Sequence, residues 1–174
     1  MNRFVAALIA ALPFLAVSGA ASATDEPIAL RNRLTGAGRC LDIVNDGQND
    51  RVHMAPCGNY SGQQWLVERL KGGAYVKLRT RFTGPDRCLD IVNDGRNDRL
   101  RMAPCGNYSG QQWSIEPVPD KGYNTWPTTN FTGPDKCLAV IAGGANDQVR
   151  MVQCPESKPG EPWSLAPMST RLPR

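Results

Sequence analysis

From residue 76 the chain alternates. Val76, Leu78, Thr80 and Phe82 are apolar or compact, and Lys77, Arg79 and Arg81 between them are charged. A period of two predicts a strand with one buried and one wet face. Thr83-Gly84-Pro85-Asp86 then reads as a turn and Cys88 to Val92 as a second strand. Asn93-Asp94-Gly95 reads as a tight turn, because these residue types tolerate the positive φ it needs. Arg99 to Met102 is a third strand, Pro104 to Gly110 a loop and Trp113 to Glu116 a fourth strand. Ile28 to Glu68 reads the same way. Helical periodicity is almost absent, so the expected class is all-β.

The same pattern returns because the sequence itself repeats. Thr35–Trp65 and Thr83–Trp113 are each 31 residues long and differ at five places: Ala37/Pro85, Gly38/Asp86, Gln48/Arg96, Val52/Leu100 and His53/Arg101. A looser third copy runs from Thr132 to Trp163. Cysteines fall at 40, 88 and 137 and again at 57, 105 and 154, so both series step by 48 and then 49. Such a period marks a repeat architecture. One repeat is too small to bury its own apolar face. Three around an axis share a core and close the sheet without exposed edges. The repeats are placed at about 28–70, 76–118 and 125–168, within one domain spanning 24–174. Gly72-Gly73 and Pro117 to Gly122 are read as joints, and the tail from Met168 to Arg174 as frayed.

Residues 1–23 change the expected compartment. Arg3 gives a positive start, Phe4 to Val17 an apolar run, and Ala21-Ser22-Ala23 a small-x-small pattern before Thr24-Asp25-Glu26. This reads as a signal peptide cleaved after Ala23, and so as a secreted, extracellular chain (periplasmic in a bacterium that exports it no further). The apolar run is short of the ~20 residues of a spanning helix, and no transmembrane segment is expected in the mature chain. Export favours oxidation of the six cysteines. Sequence alone leaves 15 pairings open. The pairing that treats the repeats alike is Cys40–Cys57, Cys88–Cys105 and Cys137–Cys154, each at a separation of 17. The formal net charge is +4, with dispersed arginines, which does not point to nucleic acid.

Cys40-Leu41-Asp42 … Cys57 … Gln63-Gln64-Trp65 and Cys88-Leu89-Asp90 … Cys105 … Gln111-Gln112-Trp113 carry a resemblance. Cys-Leu-Asp, a turn, a short strand to Cys and then Gln-x-Trp is similar to the ricin-type (R-type) lectin repeat, also used as a carbohydrate-binding module. The third copy is degenerate: Cys137-Leu138-Ala139 … Cys154 … Glu161-Pro162-Trp163. The resemblance covers almost all of the mature chain. It implies a β-trefoil of three four-stranded repeats with one disulfide each, and a binding protein for glycans or glycoconjugates. A protein-binding trefoil, such as the cell-attachment subunit of a toxin or an inhibitor, stays open as an alternative, as does a module serving a secreted hydrolase.

Asp42 and Asp90 are the foremost candidate carbohydrate-binding residues. The resemblance implies that the aspartate after Cys-Leu accepts hydrogen bonds from two sugar hydroxyls, and an ionised carboxylate suits a vicinal diol. The same carboxylate could instead tie down the Gln-x-Trp loop. Gln63 and Gln111 complete that motif, with support of the turn and the carboxylate preferred over ligand contact. Ala139 and Glu161 leave the third repeat without a working site. The family's stacking aromatic, two residues before the second cysteine, is replaced by Ala55, Ala103 and Val152, and its usual asparagine by Gly62 and Gly110. A replacement platform is available in Tyr60 and Tyr108, with Asn59 and Asn107 as hydrogen-bonding partners; the same rings could instead pack on the barrel rim. Trp65, Trp113 and Trp163 read as core. Trp126 is expected on the outer face.

Other chemistry finds little support. His53 is the only histidine and its counterpart is Arg101, so no Ser-His-Asp or Cys-His site is expected. Asp42 with Asp46 lies in a hairpin the fold already needs. There is no CxxC pair for zinc. Asn45 to Asp50 fails the EF-hand spacing, with Val44 at a ligand position, and reads as a turn held by side-chain-to-backbone bonds. Neither catalysis, a metal nor a cofactor is expected. Asn59, Asn107 and Asn130 begin N-glycosylation sequons.

Overall fold

The structure is a computed structural model that describes residues 26–115, 125–145, 147–154 and 162–168. The leader, Glu116, the joint at 117–122, Glu161 and the tail beyond Met168 lie outside the described residues. Twelve strands follow in order: β1 Ile28–Asn32, β2 Arg39–Ile43, β3 Val52–Pro56, β4 Trp65–Arg69, β5 Val76–Thr80, β6 Arg87–Ile91, β7 Leu100–Pro104, β8 Trp113–Ser114, β9 Thr128–Thr129, β10 Lys136–Val140, β11 Val149–Gln153 and β12 Trp163–Pro167.

Six of them form one antiparallel sheet in the order β12-β1-β4-β5-β8-β9. Thr125 and Trp163 exchange backbone hydrogen bonds of 3.0 and 2.7 Å, which joins the β9 side to β12 and closes the sheet into a barrel. The other strands pair as three hairpins, β2-β3, β6-β7 and β10-β11, which cap one end. Closure leaves the barrel without free edges among the described residues. This is a β-trefoil, with the pseudo-threefold axis running through barrel and hairpins.

Alternation decides what is buried. In β5, Val76, Leu78 and Thr80 are buried while Lys77 and Arg79 are partly exposed. That strand ends at Thr80 rather than at Phe82; Phe82 falls in the turn that follows, with its N–H on the Ser61 carbonyl at 3.3 Å. Each repeat sends one tryptophan to the interior. Trp65, Trp113 and Trp163 are fully buried, and their indole N–H groups donate to the carbonyls of Leu41, Leu89 and Leu138 at 2.9, 2.9 and 2.7 Å. The only polar atom of each ring is thereby satisfied. Leu30, Leu78, Leu41, Leu89, Leu138, Met54, Met102 and Met151 complete the core around them.

The disulfides are Cys40–Cys57, Cys88–Cys105 and Cys137–Cys154. The hairpin connections are longer than a two-residue turn. Positive φ falls on Gly47 and Gly95, and also on Asn49 and Asn97 at 54° each. Asp46 Oδ1 accepts from the N–H groups of Gln48 and Asn49, and Asn49 Oδ1 accepts from those of Asp46 and Gly47. Asp94 and Asn97 repeat three of these bonds, Asp94 Oδ1 accepting from the N–H groups of Arg96 and Asn97 and Asn97 Oδ1 from that of Asp94. The segment is thus a self-bonded turn.

Candidate functional site

The two near-identical repeats each build one open depression on the flank of a hairpin. In repeat two it is about 520 Å³, and Asp90, Arg101, Asn107, Tyr108, Gly110 and Phe131 are among its lining residues. In repeat one it is about 440 Å³, lined by Asp42, Asn59, Tyr60, Gly62, Gln64 and Phe82 among others. The expected aspartate, asparagine and tyrosine therefore converge in both repeats.

Each carboxylate is held on both oxygens. Asp42 Oδ1 accepts from the N–H of Ile43 at 2.7 Å and Oδ2 from Gln63 Nε2 at 2.8 Å. Asp90 does the same with Ile91 at 2.8 Å and Gln111 at 3.1 Å. These bonds fix the carboxylate and still leave further acceptor lone pairs. Tying down the loop and facing the pocket are therefore not exclusive roles. Gln63 and Gln111 are fully buried. Their Nε2 atoms also reach the carbonyls of Pro56 and Pro104, and their Oε1 atoms accept from the N–H groups of Gly58 and Gly106. With no exposed surface and both ends of the amide engaged, they position the site from behind.

Two glycines explain the local shape. The 3-10 turns Ser61–Gln63 and Ser109–Gln111 carry Gly62 and Gly110 against the carboxylates. A Cβ at either place would collide with Asp42 Oδ1 or Asp90 Oδ1 and lie 3.3 Å from the next backbone nitrogen. A side chain cannot be accommodated where the family's asparagine stands. Gly58 and Gly106 serve the tyrosines in the same way: a Cβ there would sit 2.8 Å from Cδ2 of Tyr60 or Tyr108. Each ring lies over a bare glycine backbone and stays 63% or 62% exposed. These are the two large hydrophobic side chains exposed among the described residues. On the rim, Asn59 Oδ1 accepts from Gln64 Nε2 at 2.8 Å and Asn107 Oδ1 from Gln112 Nε2 at 3.2 Å, which leaves the asparagine amide groups as donors.

Phe82 and Phe131 were not among the expected site residues. Both stand in the first turn of the following repeat and reach back to the preceding pocket. Their signal was available: in the two repeats that precede them the aspartate is present, and the residue at the equivalent place after β1 is Leu34. The third repeat thus differs in several ways, among them Glu161 in place of the glutamine of Gln-x-Trp and no Asn-Tyr after Cys154. Ala139 replaces the aspartate, Leu34 replaces the phenylalanine, and Pro162, whose carbonyl accepts from the N–H of Arg33 at 3.0 Å, stands where Gln64 and Gln112 do. Trp126 is half-buried between buried Thr125 and Pro127 and lines neither pocket.

A closed trefoil, one disulfide per repeat and an aspartate backed by Gln-x-Trp define a lectin-type β-trefoil. The chain belongs to the ricin-type beta-trefoil lectin domain family, which matches residues 26–126 and again 74–173. Solved structures agree on the fold. A designed 3-fold symmetric protein, ThreeFoil, is 24% identical over 81% of this chain and 98% of its own, with a TM-score of 0.64. The Haemophilus ducreyi cytolethal distending toxin is 17% identical over 99% of this chain and 93% of that chain, with a TM-score of 0.62. A GlcNAcα1-4Gal releasing endo-β-galactosidase from Clostridium perfringens is 22% identical over 80% of this chain but only 32% of its own, with a TM-score of 0.61. No curated protein sequence matches the chain.

Proposed function

We propose that this is a secreted, non-catalytic lectin that binds glycans at two shallow sites, one in each of repeats one and two. The observation that carries the reading is the convergence on one open pocket of a fixed carboxylate, an exposed tyrosine ring and an asparagine amide, twice over. The carboxylate accepts from adjacent hydroxyls, the tyrosine offers an apolar platform for a sugar ring, and Asn59 or Asn107 donates from the rim. Phe82 and Phe131 supply an aromatic wall in place of the residue missing at Ala55 and Ala103. Each pocket is open and weak alone, and two on one rigid body give avidity toward a multivalent surface. Each pocket is lined by one carboxylate, whereas glycoside hydrolysis ordinarily takes two, which supports binding without catalysis. Among the described residues, no helix is long and apolar enough to cross a membrane.

A second reading keeps the trefoil and changes the ligand. The missing stacking residues at Ala55 and Ala103 and the missing asparagines at Gly62 and Gly110 favour a protein-binding subunit, such as one that attaches a toxin to cells. Service to a secreted hydrolase is a third use of the same pockets. A glycan array separates these. The lectin reading expects binding by the natural chain that is lost in the Asp42→Asn/Asp90→Asn and Tyr60→Ala/Tyr108→Ala double variants. A blank array with the natural chain, together with capture of a specific protein, supports the second.

A further inference from the structure

We propose that the two pockets differ in the charge of the glycan they take: the repeat-two site binds sugars bearing an acidic group, and the repeat-one site binds neutral ones. This rests on the lectin reading and deepens it. Of the five differences between the near-identical segments, one falls opposite the site aspartate. In the β2-β3 hairpin Asp42 is paired with His53, and in β6-β7 Asp90 is paired with Arg101. Paired residues point to the same face of a hairpin. Arg101 is exposed and lines the repeat-two pocket, whereas His53 is half-buried and is not among the residues lining the repeat-one pocket. The remaining differences, at 37/85, 38/86, 48/96 and 52/100, line neither pocket.

The guanidinium is also uncommitted. Arg101 borders a second cleft, on the pseudo-threefold axis, together with Arg51, Arg99 and Arg150. Those three pair with carboxylates: Arg51 with Asp46 at 2.6 Å, Arg99 with Asp94 at 2.6 Å and Arg150 with Asp98 at 3.4 Å. Arg101 takes part in no ion pair among the described residues. Its near neighbour Asp90 is held by Gln111 and Ile91 instead. Asp90 and Arg101 are the charged groups lining the repeat-two pocket, and Asp42 is the charged group lining the repeat-one pocket. Arg81, next to Phe82, is exposed but lines neither. A sugar with hydroxyls on Asp90 and a carboxylate or sulfate directed toward the axis therefore meets a forked, unneutralised donor. The same ligand in repeat one meets a carboxylate with no cation in the lining.

Matched methyl glycosides test this: β-galactoside against β-galacturonide, and β-glucoside against β-glucuronide, with galactose 6-sulfate as the sulfate arm. Affinities are read by amide NMR titration in two site-isolated proteins, Asp42→Asn/Tyr60→Ala and Asp90→Asn/Tyr108→Ala. The first, with repeat two intact, should bind the acidic member about fivefold more tightly than the neutral one, the order of one exposed ion pair. The second should show no such preference. Arg101→His should abolish the preference, His53→Arg should install it in repeat one, and added salt should erase it. Equal acidic-to-neutral ratios at both sites, or a ratio that survives Arg101→His, overturn the inference while leaving the lectin reading intact. Silence of both sites toward every sugar overturns both.

Discussion

The backbone N–H of Met54 donates to the carbonyl of Asp147 at 2.8 Å and ties repeat one to repeat three. Met102 makes the same bond to Asp50 at 2.7 Å and Met151 to Asp98 at 2.8 Å. Each hairpin thus leans on the turn of the repeat before it, and the third bond closes a ring. The three methionines are at most 2% exposed, so each N–H needs this partner. A fragment ending at Ile115 lacks Asp147 and two of the six barrel strands, β9 and β12. It is expected to show no cooperative thermal transition. A monomeric fragment that melts in a single sharp step would contradict the ring as a requirement for folding.

Gly62 and Gly110 leave room for the site carboxylates. Gly110→Ala is expected to push Asp90 off Gln111, to cost about 1–3 kcal/mol of stability and to remove repeat-two binding. Gly106→Ala should instead lift the Tyr108 ring, with a smaller loss of stability. Denaturant melts combined with NMR titration separate the two. A Gly110→Ala protein that binds glycans like the natural chain would show that the close approach is incidental.

Asp94 gives a pH prediction with a defined sign. The Arg99 side chain, and then the N–H of Asn97, hold its carboxyl below the ordinary 3.8, at about 2. Asp46 is lowered in the same direction by Arg51 and Asn49. A depressed folded pKa means the turn's contribution is fully present above about 3.8 and is lost as pH falls toward about 2. Carboxyl NMR should place the Asp94 midpoint near 2 in the natural chain, and Arg99→Gln should move it upward. A midpoint that stays put in that variant would remove Arg99 as the cause.

The Cys40–Cys57 bridge joins the strand bearing Asp42 to the loop bearing Tyr60. Replacing both cysteines with alanine is expected to cost about 3 kcal/mol. Repeat-one affinity should fall further than repeat-two affinity, because only one loop loses its anchor. Equal losses at both sites would show that the bridge acts on global stability alone.

Much of this was legible in the sequence. Cysteines and tryptophans recur at a fixed step, and a side chain that must reach a shared axis leaves that kind of trace. The aspartate, asparagine and tyrosine were legible because each lies within one repeat. Phe82 was hidden because strict alternation places it on the buried face of β5, while the chain turns after Thr80. The close approaches of Gly62 and Gly58 depend on backbone positions that no local pattern specifies. Arg101 differs from His53 in plain view, but its meaning rests on the Asp90–Arg101 register and on the absence of an ion pair among the described residues.

The aromatic wall of each site is borrowed from the repeat that follows. A stretch equal to Thr35–Trp65, copied within a gene, carries the aspartate, the tyrosine and the glutamine but leaves this wall behind. A newly duplicated unit therefore inherits this lining only when its downstream neighbour begins with a phenylalanine. Repeat three, whose neighbour around the ring begins with Leu34, lacked that inheritance. Restoring it would call for changes at both ends of the chain: Ala139→Asp, Glu161→Gln and an Asn-Tyr loop in the last repeat, and Leu34→Phe in the first.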